Sequence, residues 1–173
     1  MEFKLDEAVI LLGKTPSTLR AMLEQLPSQW INGHEGEGSW SPFDVLGHLI
    51  HGEQTDWIPR AKMIIEFGES RTFDVFDRFA QFEHSRGKTL DDLLAEFEAL
   101  RQSNLAELKE MNLSEADMNR TGTHPEFGKV TMKQLLATWV AHDLSHLTQI
   151  SRTMTRQYAE AVGPWRAYLS ILK

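Results

Sequence analysis

Cysteine is absent from this sequence, and that absence excludes disulfides, thiolate zinc sites, iron–sulfur clusters and cysteine nucleophiles. Any metal must then be held by histidine or carboxylate, and any thiol chemistry must use a thiol brought from outside the chain. Positive charge is also short. Against 25 Asp and Glu stand 18 Lys and Arg, a net charge of −7. A chain of this sign without a polybasic arm repels phosphate backbones, so no nucleic-acid partner is expected. No uncharged apolar run approaches the ~20 residues needed to span a bilayer, so no membrane partner is expected either. The opening Met1-Glu2-Phe3-Lys4-Leu5-Asp6-Glu7 lacks the basic-then-apolar order of a secretory signal, which makes a cytoplasmic location the expectation.

What is present fits one globular unit. The 173 residues are 41% hydrophobic and 25% charged, enough to bury one core within a single domain spanning 1–173. Apolar periodicity is helical nearly throughout. The first run, Leu5 to Leu26, is interrupted at Thr15-Pro16, a pairing that reads as one helix stopping and another starting. A Gly-rich loop, Asn32 to Gly38, follows. Ser41-Pro42 repeats the device and opens a second segment to about Glu66, in which Pro59 should kink the helix or end its first part. Thr89 caps a third helix running to Met111, with Asp91 and Asp92 against the positive end of its dipole.

A loop rich in Gly, Thr and Asn spans Asn112 to Val130. Thr131 then caps a fourth helix, Met132 to Tyr158, with core positions at Met132, Leu136, Trp139, Val140, Leu144, Leu147, Ile150 and Met154. Gly163-Pro164 ends it, and Trp165 to Leu172 form a short amphipathic tail. With no repeat and no long alternating pattern, an all-α four-helix bundle is the expected fold.

Without cysteine, the seven histidines carry the interest. His142 and His146 are four residues apart, which places both imidazoles on one helical face within reach of one ion. They lie at the edge of the apolar stripe, where a pocket between helices would open. A third ligand must come from elsewhere, and His48 and His51 on the second segment are the candidates. Helical phase leans towards His48 without settling the choice, and His51 is then read as a polar-face residue or an outer partner of the ligands. Trp139 and Gln149 share the face of the pair and are candidate pocket residues. Asp143 falls in the middle of the apolar stripe, where a carboxylate needs a partner. It either orients an imidazole or pairs with an Arg or a backbone N–H in the core, and its direction on the helix favours the second. His142-Asp143-Leu144-Ser145-His146 is one carboxylate away from the zincin motif. Asp is a methylene too short, and no His follows His146, so a peptidase is not expected.

Three stretches carry a family resemblance: Trp40 to Leu49 (WSPFDVLGHL), His124 to Thr131 (HPEFGKVT) and Leu135 to Ile150 (LLATWVAHDLSHLTQI). Together with the tail Tyr158 to Trp165, they resemble the DinB/YfiT-like superfamily, in particular its DinB-like domain proteins. The resemblance implies a four-helix bundle with a three-histidine divalent metal site, His48 matching the first family histidine and His142 and His146 the pair. It implies zinc or nickel as the ion and a homodimer as the assembly. Some relatives are similar to thiol S-transferases that use a low-molecular-weight thiol. The implied activity is therefore a metal-dependent transferase acting on a small-molecule substrate, its thiol supplied externally. A non-catalytic bundle tied together by a structural ion is the competing expectation, and a metal-dependent hydrolase the third.

Overall fold

The computed structural model describes residues 1–173. Its helices are α1 (Leu5–Leu23), α2 (Ser28–Asn32), α3 (Pro42–Thr55), α4 (Trp57–Phe67), α5 (Ala80–His84), α6 (Leu90–Glu110) and α7 (Met132–Arg156). An antiparallel hairpin, β1 (Thr121–His124) and β2 (Gly128–Thr131), pairs Thr121 with Thr131 and His124 with Gly128. The four-helix bundle is made by α1, the α3–α4 pair, α6 and α7, with α3 and α1 both packed on α6, and α1, α3 and α4 on α7. No helix is long and apolar enough to cross a membrane.

Three of the helix starts read from sequence are capping boxes. Ser41, Thr89 and Thr131 accept from the backbone N–H three residues on, and Asp44, Asp92 and Gln134 return the bond. The expected break at Thr15-Pro16 does not occur: α1 runs unbroken through Pro16. Proline there leaves the Leu12 carbonyl without its helical donor, and Arg101 Nη1 supplies one from α6 at 2.7 Å. Thr15 is no cap; its hydroxyl donates to Asp143 Oδ2 at 2.6 Å. Pro59 acts as expected, because Thr55 would lose its N–H partner and α3 stops there, with Asp56 between α3 and α4.

The segment read as loop from Asn112 to Val130 instead holds the hairpin, whose strands of four residues are too short to show an alternating pattern. Leu144, expected in the core, is 53% exposed, and Leu135 is buried in its place. The tail winds as two short 3-10 turns that bury Leu172 but leave Trp165 out in solvent.

Two apolar clusters fill the bundle. One gathers Leu12, Trp57, Ile58, Leu108, Leu136 and Trp139; the other gathers Leu19, Leu46, Ile50, Leu93, Phe97 and Ile150. Between these positions along the helices come Thr15, Glu53, Arg101 and Asp143. Glu53, Arg101 and Asp143 are 2%, 1% and 2% exposed. Arg101 donates to both Glu53 oxygens (3.1 and 2.8 Å) and to both Asp143 oxygens (2.7 and 3.1 Å). With Leu12 O added, every guanidinium N–H is used. Asn104 Nδ2 and Trp139 Nε1 complete the shell of Glu53, each at 3.0 Å. This layer joins α1, α3, α6 and α7. It sets the height of α3 against α7, the two helices that carry the candidate ligands.

Candidate metal centre

His48 projects from α3, and His142 and His146 from α7. Their Nε2 atoms converge: His142 Nε2 stands 3.2 Å from that of His48 and 3.1 Å from that of His146. One ion bound at about 2.0–2.1 Å holds neighbouring ligand nitrogens about 3.0–3.4 Å apart, and both distances from His142 fall in that range. All three ligand atoms lie within 4.8 Å of one another, and no carboxylate joins the group.

The chemistry of the donors agrees with that fit. Gln149 Oε1 takes a hydrogen bond from His146 Nδ1 at 2.8 Å, which leaves the lone pair on Nε2, facing the other two rings. Burial pushes His48 and His142 down to about 3, with the neighbouring His146 adding to the effect on both. His146 is lowered too, by burial, against the opposing bond from Gln149. Neutral imidazole is the ligand form, so burial holds these residues ready for a cation at neutral pH.

The unfolded chain takes up protons at its histidines near 6.5, whereas folded His48 and His142 resist until about 3. Stability from this pair is therefore complete above pH 6.5 and lost as the pH falls towards 3. Asp56 works in the opposite sense, raised by burial from 3.8 to about 6, but it is one proton against at least two. The urea midpoint of the metal-free protein is expected to be lower at pH 5 than at pH 7. An equal or higher midpoint at pH 5 would contradict the burial of the trio.

The trio lies in the wall of a cavity of about 790 Å³. Trp40 and Phe76 flank His48 at 4.9 and 5.4 Å, and Trp57 stands edge-on to His142 at 5.1 Å. Arg152 binds both oxygens of Glu35 (2.7 and 2.9 Å), and Thr153 donates to the same carboxylate, pinning the Gly-rich loop to α7 at the cavity rim.

The other residues singled out from sequence fall as follows. Gln149 lines the cavity as well as holding His146. Trp139 does not line it: the ring is fully buried, stacked on Trp57 at 5.7 Å. His51 stays outside the group of three, its ring against Phe76 at 4.8 Å. Asp143 is held by Arg101 and Thr15 and makes no bond to an imidazole. His34 bonds Ser39 O within its own loop, and His84 meets Glu96 at 2.8 Å. Sequence reasoning missed Glu53, Arg101 and the cavity residue Trp57. A signal existed for the first two: both sit at helical core spacing, Glu53 between Ile50 and Trp57, Arg101 between Phe97 and Leu108.

Comparisons with known proteins agree with this architecture. The chain is similar to YfiT from Bacillus subtilis, described as a probable metal-dependent hydrolase with an unusual four-helix bundle topology. That likeness has 21% identity over 90% of each chain and a TM-score of 0.77. It is also similar to TT2238, a four-helix bundle protein, at 21% identity over 86% of this chain and 98% of that one, with a TM-score of 0.56. No curated protein matches the chain significantly. The family model of the DinB superfamily matches residues 11–150. Four helices in this arrangement, with that match over most of the length, place the chain in the DinB superfamily.

Proposed function

We propose that this protein is a metal-dependent enzyme of the thiol S-transferase type, with a divalent ion, zinc or nickel, held by His48, His142 and His146. The observation that carries the reading is the convergence of three imidazole nitrogens, without a fourth protein ligand, in the wall of a large cavity. Three ligands leave an open position, the mark of a catalytic rather than a structural site. Bound there, the ion would lower the pKa of an incoming thiol or water.

The chain's own residues supply the rest. Gln149 fixes the tautomer and tilt of His146. Trp40 and Phe76 pack against the His48 ring and Trp57 against that of His142, limiting their contact with water. Since the chain has no cysteine, the sulfur must arrive with a low-molecular-weight thiol, which attacks a carbon electrophile and expels its leaving group. The description of YfiT as a probable metal-dependent hydrolase supports a second reading, with water in place of the thiol.

One assay separates the two. Metal-loaded protein is incubated with N-acetylcysteine and monobromobimane, where a C–S bond forms as the C–Br bond breaks, and in parallel with an aryl ester. Faster thioether formation than with His142→Ala protein is expected. Ester cleavage without thioether formation would replace the transferase with the hydrolase, and neither activity would leave a non-catalytic ion.

A further inference from the structure

His124 ends β1, well apart in sequence from the three candidate ligands, and it lines the same cavity. Its Nδ1 accepts from two backbone N–H groups of the hairpin turn, Glu126 at 3.1 Å and Phe127 at 3.3 Å. A nitrogen that accepts must carry its lone pair, so the neutral ring bears its proton on Nε2. Burial, reinforced by Arg60, lowers the pKa of this ring against the opposing pull of Glu126, which favours that neutral form.

The ring is also fixed in direction. Phe127 stacks on it at 4.5 Å with 16° between planes, and Phe73 meets it edge-on at 6.3 Å. The turn thus holds one edge of the imidazole and leaves Nε2–H as a donor with no acceptor on the chain. Two of the three arginines around the cavity are already engaged. Arg60 pairs with Asp56 at 2.7 Å and donates to Asp74 O, and Arg152 is taken by Glu35. Phe79 and Phe127 are 62% and 75% exposed on the same cavity. Large aromatic surfaces exposed beside a fixed polar donor are the make-up of a small-molecule site.

We propose that His124 is a substrate-binding residue, its Nε2–H donating to a carbonyl or carboxylate oxygen of a ligand whose apolar body lies on Phe127. Phe127 packs against both the ring and the ligand. Arg78, exposed and without an ion-pair partner in the chain, stands ready at the cavity for the carboxylate alternative.

This assignment rests on the cavity being the substrate site of the proposed enzyme, so it is tested on metal-free protein, where no ion can bind the probe. Phenylacetamide, phenylacetate and ethylbenzene are titrated by NMR. The wild type is expected to bind at least one oxygenated probe about three- to tenfold more tightly than ethylbenzene, the range of one net hydrogen bond. The tighter of the two identifies the acceptor as neutral or anionic.

His124→Asn keeps an acceptor for the turn N–H groups, as asparagine does in Asx-turns, but withdraws the donor: its amide nitrogen falls where the ring's Cδ2 stood, an atom short of the Nε2 position. It is expected to lose the preference while keeping wild-type circular dichroism and metal uptake. Equal affinity for all probes, no binding of the oxygenated ones, or an unchanged preference in the variant would overturn the proposal. Nitrogen-15 spectra of wild-type imidazoles give a readout that needs no variant: an Nδ1–H tautomer for His124 would also overturn it.

Discussion

Replacing Arg101 with methionine is expected to destabilise the protein by about 3–5 kcal/mol, the cost of leaving a buried charge without its partner. Two carboxylates, Glu53 and Asp143, share this one guanidinium and have almost no access to water. Methionine fills much of the volume beside Phe97 and Trp139, over whose rings Arg101 lies at 4.9 and 5.1 Å. The loss is therefore mainly electrostatic, and it includes the Leu12 carbonyl stranded by Pro16. A urea melt measures it. Adding Glu53→Gln and Asp143→Asn to Arg101→Met should recover part of the loss, because a neutral amide is cheaper to bury than an unpaired carboxylate. A single variant within about 0.5 kcal/mol of wild type, the ordinary range for a change at the surface, would show that the layer does not brace the bundle.

His142→Ala is expected to abolish stoichiometric metal binding, whereas His34→Ala should leave it intact. His142 is the hub of the trio, its Nε2 within 3.2 Å of both other nitrogens. Its removal leaves two ligands on different helices. Even the loss of an outer-shell partner costs about 10–100-fold in metal affinity, and loss of a ligand exceeds that. His34 sits in an exposed loop with its Nδ1 on Ser39 O. Equal metal retention by the two variants, each with wild-type circular dichroism, would remove the ligand assignment.

Much of this architecture was legible because it rests on local rules. Thr89, Thr131 and Ser41 announce helix starts within four residues of sequence, and the capping boxes form where those residues stand. The i,i+4 spacing of His142 and His146 is equally local. The choice between His48 and His51 was not, since it depends on how α3 is rotated against α7. Helical phase only leaned towards His48, and the family resemblance supplied the match.

The misreading at Thr15-Pro16 has the same origin. Whether a proline breaks a helix depends on who satisfies the stranded carbonyl, and Arg101 does so from 89 residues away. Leu144 was misplaced because apolar spacing marks a stripe without saying which edge a neighbouring helix covers. The polar tip of His124 had no sequence signature either; its tautomer follows from two backbone N–H groups that only the folded hairpin brings together.

The most direct test of the metal centre is elemental analysis of wild-type protein purified without chelator and without an affinity-tag metal, followed by titration of the metal-free form with zinc and nickel. The trio of His48, His142 and His146 predicts one divalent ion per chain, either retained on purification or taken up at a single site on titration. A substoichiometric ion after purification together with no uptake on titration would contradict it.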